Sequence, residues 1–270
     1  MKNILKIELK RAFTGSCFII ALLIGVAISI SHFIMDILTY TRIEDLSKPM
    51  GIVSGLLAAW MGGNSYNFQG YLFFLILPIL AVMPYVYSYH QDKKYGMIKN
   101  MITRVNPVHY YTSKWIAVFL SAGTVIVLPL IFNILLFTTV LPSHKPQIAA
   151  GIFSVGNKSL FAEIFIKYPL LYIILFFIII FIYSGLIANI GLIVEFFTEY
   201  LFVLLLFPFL IYIFTSAVLE MFILEAFSPN YFLKPSFGSG NILIIIFEGI
   251  LLFLITFIPF VAHGRRRKDY

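Results

Sequence analysis

Six long apolar runs alternate with shorter polar segments along the chain, and each run is long enough to cross a lipid bilayer. A helix needs about 20 apolar residues to cross a hydrocarbon core of about 30 Å. The runs are Cys17 to Leu38, Tyr71 to Tyr89, Trp115 to Val140, Pro169 to Val194, Tyr200 to Leu219 and Ile242 to Ala262. The pattern predicts an all-α integral membrane protein with six transmembrane helices in a single domain, residues 1–270.

The composition agrees with the pattern, and the distribution of basic residues predicts an orientation. Hydrophobic residues make up 61% of the chain and charged residues 11%, with a mean hydropathy of +0.98. If the amino terminus is cytoplasmic, 13 of the 19 basic residues lie on the cytoplasmic side and six lie outside. Because cytoplasmic loops favour Lys and Arg, both termini are predicted to be cytoplasmic. The net charge of +7 is therefore assigned to membrane orientation, and no nucleic-acid partner is expected.

Four segments outside or within the runs carry additional predictions. Met1 to Phe13 has apolar and basic faces typical of a helix lying in the membrane interface. Met50 to Met61 is too short to cross the membrane and is predicted to be an interfacial helix, followed by a flexible Gly-rich turn. Pro78 and Pro84 should bend or unwind the second span. Glu220 to Gly240 begins with residues apolar enough to dip back into the membrane.

The polar segment from Tyr89 to Lys114 separates the second and third spans and contains five basic residues. Residues Met97, Ile98, Met101, Ile102 and Val105 fall on one arc at helical spacing. This arrangement predicts a short amphipathic helix, either docked in a groove of a cytosolic protein or lying on the lipid surface. Asn106 and Pro107 should end this helix before the chain re-enters the membrane at Trp115.

The sequence lacks the motifs that would give the chain chemistry of its own. It contains no phosphate-binding G-x-x-x-x-G-K-[ST] loop and no H-E-x-x-H pair. Its five histidines are scattered, and its one cysteine, Cys17, excludes an intrachain disulfide. Ser239 lies between two glycines, but the motif of intramembrane serine proteases is incomplete. No metal site and no cofactor are predicted in this chain.

Acidic residues within or beside the spans are the remaining candidates for function, because an ionisable group in hydrocarbon is costly. Asp36, Glu220 and Glu225 lie near the predicted outer ends of helices, where a solvated carboxylate is the simplest interpretation. Glu248 lies deeper in the last span. Glu248, Glu220 and Asp36 are candidates for lining a substrate path.

The proline-containing second span, the stretch from Asp92 to Gly96, the apolar and basic helix that follows, and Tyr110 to Lys114 resemble the ABC-2 type (type 2 exporter) ABC transporter permeases. The start at Glu8 to Arg11 is similar too. Asp92 departs from the glutamate that is common in that family. The resemblance covers the whole chain in topology, and its motifs lie in about the first half.

The resemblance implies a bacterial exporter permease of the plasma membrane, paired with a second permease subunit, identical or different, and without enzymatic activity of its own. ATP and Mg²⁺ would be bound by separate ATP-binding subunits docked on the loop at 92–105, with the turn at 195–199 as a minor contact. The coupling residues would be Asp92, Lys93, Gly96, Met97, Ile98, Met101, Ile102 and Arg104. The substrate stays open among peptides, lipids, drugs and glycans.

Two other classes of function stay open from the residues alone. One is an intramembrane enzyme that acts on lipid or peptide through Glu248 or Ser239. The other is an immunity or sensor subunit that does not transport.

Overall fold

The computed structural model describes residues 2–43, 56–63, 67–103, 105–141, 159–235 and 241–266. Within these ranges the chain forms helices joined by turns. The α-helices are α1 (Lys2–Thr14), α2 (Ser16–Ile43), α3 (Leu56–Ala59), α4 (Phe68–Val82), α5 (Tyr87–Lys94), α6 (Met97–Ile102), α7 (Pro107–Thr138), α8 (Ala162–Lys167), α9 (Pro169–Val194), α10 (Leu201–Met221), α11 (Pro229–Phe232) and α12 (Ile242–Arg266). One 3₁₀ turn covers Glu225–Phe227.

Within the described residues, six helical segments are long and apolar enough to cross a membrane, which confirms the predicted number of spans. They are Ser16–Leu38, Phe68–Lys94, Pro107–Thr138, Pro169–Val194, Leu201–Met221 and Ile242–His263. The chain is therefore a multi-pass membrane protein. The side on which the termini lie stays a prediction from charge.

The second span breaks near Pro84 as predicted, and the third span differs from its predicted start; both features concern proline. The second span breaks between α4 and α5 at residues 83–86, where Pro84 has no N–H to donate to the carbonyl group of Leu80. The third span begins at Pro107 and not at Trp115. Asn106 caps it by accepting a hydrogen bond from the backbone N–H of Val108 at 3.0 Å. Pro107 occupies the first helical position, where a missing N–H costs nothing.

Three spans form the interior of the bundle, and three lie around them. In the spans Phe68–Lys94, Pro107–Thr138 and Pro169–Val194, 61%, 56% and 50% of the most apolar window is buried. The corresponding values are 28%, 22% and 11% in the first, fifth and sixth spans. The outer helices therefore direct most of their Ile, Leu and Phe side chains outward, as expected of helices surrounded by lipid.

The contact between α7 and α9 is built from a reciprocal pair of glycines and phenylalanines. A Cβ atom on Gly123 of α7 would lie 2.6 Å from Phe181 Cδ2, and one on Gly185 of α9 would lie 2.4 Å from Phe119 Cδ2. The two phenylalanine rings pack edge to face with centroids 5.9 Å apart. Each glycine therefore receives the ring of the opposite helix, which lets the two backbones approach closely.

The amino-terminal helix α1 forms as predicted, and one of its faces is packed against the bundle. It packs against α7 and buries Ile4, Glu8 and Ala12, which are four residues apart and share one face. Lys2, Lys6 and Lys10 stay exposed on the other face. The buried face therefore brings a carboxylate into the interior.

The described end of the Met50 to Met61 segment is a buried turn. Leu57, Trp60 and Met61 belong to the core, and α3 is a single helical turn. A Cβ atom on Gly62 would lie 2.3 Å from the Trp60 ring. The predicted flexible turn is therefore wrong at 62–63, where the backbone packs tightly on an indole; residues 44–55 and 64–66 lie outside the described residues.

The segment after α10 folds back on the bundle only in its second half. Met221, Phe222 and Ile223 are exposed, whereas Phe232 and Leu233 are buried in the core. The predicted re-entrant element is thus anchored by α11 and the residues that follow it, up to Pro235. Residues 236–240, including Ser239, lie outside the described residues.

Candidate functional site

Two acidic and two basic side chains meet where α1, α5 and α7 come together, at the end of the bundle that carries the amino terminus, and three of the four are buried. They are Glu8 and Arg11 of α1, Asp92 of α5 and Lys114 of α7. Glu8 and Lys114 have no exposed surface, and Asp92 is 1% exposed. Together with Tyr85 and Tyr110 they form what we call the ion cluster. Its formal charges cancel.

Lys114 lies at the centre of the ion cluster. Its Nζ atom donates hydrogen bonds to Asp92 Oδ2 at 2.6 Å and to Ser88 Oγ at 3.2 Å, and it forms an ion pair with Glu8 Oε2 at 2.8 Å. The buried ammonium group is therefore compensated by two carboxylates, as a buried charge requires.

Arg11 closes the ion cluster from the partly exposed side. Its guanidinium group donates to both oxygens of Asp92, at 2.8 Å and 3.3 Å, in a forked arrangement. Burial by itself lowers the pKa of Arg11, but the hydrogen bond to Asp92 and attraction by Tyr85, Asp92 and Glu8 raise it more, so its pKa lies above the ordinary value. Arg11 therefore stays charged.

Two tyrosines complete the coordination of the acids. Tyr85 donates to Glu8 Oε2 at 2.6 Å, and Tyr110 donates to Asp92 Oδ2 at 2.8 Å. Lys114 Nζ also lies 4.8 Å from the centroid of the Tyr85 ring. Tyr85 directly follows Pro84, so the break in the second span places this hydroxyl group next to the amino-terminal helix.

The loop between the second and third spans is shorter than the sequence predicts, because α5 and α7 extend into it. It consists of residues 95–106 and contains α6. Gly96 begins α6 in the left-handed region, with φ of 67°, which favours glycine. Ile98 is buried in the core of this chain, and Met101 and Ile102 pack partly against it. The apolar arc of α6 is thus covered from within at Ile98, Met101 and Ile102, whereas Met97 is exposed.

The exposed surface of the loop lies on the other side of α6. It is formed by Gln91, Lys94, Tyr95, Met97, Lys99, Asn100 and Thr103, which we call the loop surface. Tyr95 is 70% exposed and Met97 is 42% exposed. Of the predicted coupling residues, Met97 belongs to this surface. Asp92 and Ile98 are buried and attach the loop to the bundle, and Arg104 lies outside the described residues.

A second ionic contact joins the loop to the turn between α9 and α10. Glu195 is 2% exposed, and both of its carboxylate oxygens lie 3.1 Å from His90 Nδ1. Lys93 lies 3.4 Å from Glu195 and 3.9 Å from Glu199. The short turn that the sequence assigned to a minor contact is therefore braced directly against α5.

The three acids proposed to line a substrate path are not brought together. Asp36 of α2 and Glu248 of α12 are half-buried, and Glu220 of α10 is exposed. Within the described ranges, no hydrogen bond joins any two of them, and Glu248 makes none at all. The same part of the chain contains no group of three His, Cys, Asp or Glu side chains that could hold a metal ion.

A polar network without a buried ion pair lies between α2 and α7, at the end of α7 that is far from the ion cluster. It consists of Ser29, His32 and Asp36 of α2, Asn133 of α7, Asn67 before α4, and the backbone N–H of Met61. His32 is 1% exposed and Asn133 is fully buried. Ser29 also donates to the carbonyl group of Pro129 at 2.9 Å. We call this set the amide network.

Sequence reasoning missed the ion cluster as a unit. Glu8, Arg11, Asp92 and Lys114 were each treated as loop or interface residues. The overlooked signal is the Asn106–Pro107 pair, which begins a helix as readily as it ends one. A helix that starts at Pro107 places Tyr110 and Lys114 on one face, four residues apart.

No family model, no curated protein and no solved structure matches this chain. The function is therefore argued from the geometry above.

Proposed function

We propose that this chain is the permease subunit of an ABC-2 type exporter, driven by separate ATP-binding subunits that dock on the loop surface. The observation that carries the proposal is the attachment of the loop. An exposed surface with Tyr95 and Met97 among lysines is held by the ion cluster and by the contact of buried Glu195 with His90 and Lys93. A loop with no mechanical task has no need of such an anchor. A surface that receives force from another protein does need one.

The attachment connects the loop surface to three parts of the bundle. Asp92 joins α5 to α7 through Lys114 and to α1 through Arg11, and His90 joins α5 to the end of α9 through Glu195. A displacement of α5 and α6 is therefore passed to the inner helices through short, buried contacts. The break at Pro84 separates α5 from α4, so the end of the second span can tilt while α4 stays packed.

The composition of the loop surface is typical of a protein interface. Aromatic and methionine side chains are enriched at the centres of protein interfaces, and Tyr95 and Met97 are exposed side by side with Lys94 and Lys99 around them. The ATP-binding subunits would supply ATP and Mg²⁺, because the chain has no phosphate-binding loop. The apolar outer helices leave room for a second permease subunit and lipid.

The exposed tyrosines provide a matched test. The tagged chain is purified in mild detergent from the cells that produce it naturally, and the ATP hydrolysis retained on it is measured. We expect hydrolysis with the wild-type chain and with Tyr168→Glu, and loss of hydrolysis with Tyr95→Glu. Tyr168 is 64% exposed at the opposite end of the bundle, so its substitution controls for an added charge on an exposed tyrosine.

Two outcomes would reject the proposal. One is a wild-type chain that retains no ATP hydrolysis, and the other is equal hydrolysis with Tyr95→Glu and wild type. Size-exclusion profiles of all three proteins separate loss of docking from loss of folding.

A further inference from the structure

The amide network contains a chain of hydrogen bonds whose directions are fixed at one end. We propose that it is a proton-binding site, in which Asp36 holds one proton as a neutral carboxylic acid at neutral pH. The hydrogen bonds of Asn67 and His32 connect the protonated acid to Asn133. This inference goes beyond the proposed function and does not depend on an ATP-binding partner.

Asn133 fixes the direction at the α7 end. Its Oδ1 atom accepts from the backbone N–H of Met61 at 3.0 Å, and its Nδ2 atom donates to the backbone carbonyl of Ser29 at 3.1 Å. A backbone N–H can only donate and a backbone carbonyl can only accept. The amide orientation of Asn133 therefore admits no exchange of oxygen and nitrogen.

The orientation of Asn133 selects one form of the His32 ring. The Nδ2 atom of Asn133 also lies 3.3 Å from His32 Nδ1, and this nitrogen must accept the second amide hydrogen. In a neutral imidazole one nitrogen accepts and the other carries hydrogen. His32 therefore carries its hydrogen on Nε2.

The hydrogen on Nε2 then selects the orientation of Asn67. In the orientation that the structure gives, the Nδ2 atom of Asn67 lies 2.8 Å from His32 Nε2, and two donors cannot face each other at that distance. Turning an amide by 180° exchanges its oxygen and nitrogen, and the hydrogen-bond partners decide which is correct. The oxygen of Asn67 therefore faces His32.

In the orientation that the structure gives, the same Nδ2 atom of Asn67 donates to Asp36 Oδ1 at 3.3 Å, and turning the amide puts the oxygen in its place. When this atom is oxygen, an ionised carboxylate would place acceptor against acceptor. A proton on Asp36 Oδ1 turns the contact into a hydrogen bond donated to Asn67. One proton on Asp36 thus satisfies Asp36, Asn67, His32 and Asn133 together.

Loss of the proton requires a coordinated change. The carboxylate releases one proton, the amide of Asn67 turns to donate to it, and the hydrogen of His32 moves from Nε2 to Nδ1. The His32 hydrogen then faces the amide donor of Asn133, so the contact with α7 is lost. Binding of the proton is in this way coupled to the packing of α2 on α7.

The surroundings favour the neutral acid. Oδ2 of Asp36 is buried and makes no hydrogen bond in the described part of the chain. The packed segments 56–63 and 120–138 contain no Asp, Glu, His, Lys or Arg. The titratable side chain of α4 is Tyr71, whose ring faces Lys234 at 5.0 Å from Nζ to centroid, and Asp36 bonds to neither of them. Among the described side chains, none forms an ion pair with Asp36. A half-buried carboxylate without a counter-charge is costly, whereas the acid is not.

The decisive measurement is the ¹⁵N spectrum of the full chain in lipid bilayers, labelled at histidine and assigned with His32→Gln. At neutral pH we expect the His32 signal of a neutral ring with hydrogen on Nε2, and its change to the Nδ1 form at alkaline pH. A neutral-pH ring with hydrogen on Nδ1, or one with both nitrogens protonated, would overturn the proposal.

An infrared measurement tests the proton on Asp36 directly and does not depend on the histidine assignment. The wild-type chain should show a carboxylic acid C=O band at neutral pH that is missing in Asp36→Asn and kept in Glu163→Gln, which removes an exposed carboxyl group. Asparagine at 36 can donate the same hydrogen bond to Asn67, so this variant should fold. An identical band in wild type and Asp36→Asn would overturn the proposal. A band that disappears when choline in the buffer is replaced by Na⁺ would also overturn it, because a cation would then occupy the site.

Discussion

The ion cluster and the amide network lie at opposite ends of α7, and they fill the same structural role with different chemistry. Lys114 and Asn133 are 19 residues apart, or about 28 Å at the helical rise of 1.5 Å per residue. Each side chain joins α7 to an amino-terminal element through buried polar contacts. Lys114 does so with a full charge and Asn133 with a neutral amide.

The presence or absence of buried charges determines how much a substitution at each end of α7 lowers the stability of the protein. In the ion cluster every charge is balanced by the others, so removal of one partner leaves an uncompensated buried charge. In the amide network the loss of one partner leaves neutral groups unpaired, at a smaller cost. We therefore expect the amino-terminal end to fail as a unit and the opposite end to weaken gradually.

Replacement of Lys114 by methionine should have the largest effect. It leaves Glu8 and Asp92 buried against each other with Arg11 alone, and such a break costs about 3 to 5 kcal/mol. The free energy of unfolding, measured in mixed micelles with increasing SDS, should fall by that amount. Lys10→Met, which removes an exposed lysine, should leave it unchanged, and equal losses for the two variants would contradict the role of the cluster.

Replacement of Tyr85 by phenylalanine should have the next largest effect. The hydroxyl group donates at 2.6 Å to a buried carboxylate, and hydrogen bonds to charged groups contribute about 1.5 to 3 kcal/mol. The thermal midpoint in detergent should fall, while Tyr200→Phe, at a residue that is 76% exposed, should leave it unchanged. A midpoint equal to wild type would show that Glu8 does not need this donor.

Replacement of Asn133 by leucine should weaken the other end by about 1 to 3 kcal/mol, since it leaves the Met61 N–H and the Ser29 carbonyl without their amide partner. Hydrogen exchange followed by mass spectrometry should show faster exchange near residues 60–63 and in the second half of α2. Asn100→Leu, on the loop surface, is the control. Exchange that rises first in α1 would contradict the separation of the two ends.

Replacement of Lys93 by alanine should have the smallest effect on stability. This partly exposed ion pair contributes about 0 to 1 kcal/mol, and Glu195 keeps its contact with His90. The unfolding curve should overlap with those of wild type and Lys94→Ala. A loss as large as that of Lys114→Met would extend the ion cluster to the turn between α9 and α10.

The number of spans followed from the sequence because hydrocarbon imposes a simple requirement of length and apolarity. The break near Pro84 was also predictable, since proline lacks the required donor. The site was not, because a charged residue next to an apolar run has two interpretations: Lys114 at an interface and Lys114 paired in the interior give the same local pattern. Only the distant positions of Glu8 and Asp92 decide between them.

The loop between the second and third spans also could be predicted only in part. Its helical spacing predicted α6, but spacing does not say what covers an apolar arc. Ile98 is covered by the chain's own core, so the surface left for a partner is the one with Tyr95 and Met97. Side-chain periodicity identifies a face, and tertiary packing determines its partner.

The reciprocal seating of Phe119 over Gly185 and Phe181 over Gly123 restricts the movements available to the bundle. Sliding α7 along α9 by even one helical turn would drive each ring into backbone that has side chains in place of a glycine. These two helices therefore move as one rigid unit, and rearrangement must take place at its boundaries with α2, α10 and α12. A disulfide or crosslink between α7 and α9 should be compatible with every conformation of the protein. A crosslink between this unit and an outer helix should hold the protein in one conformation.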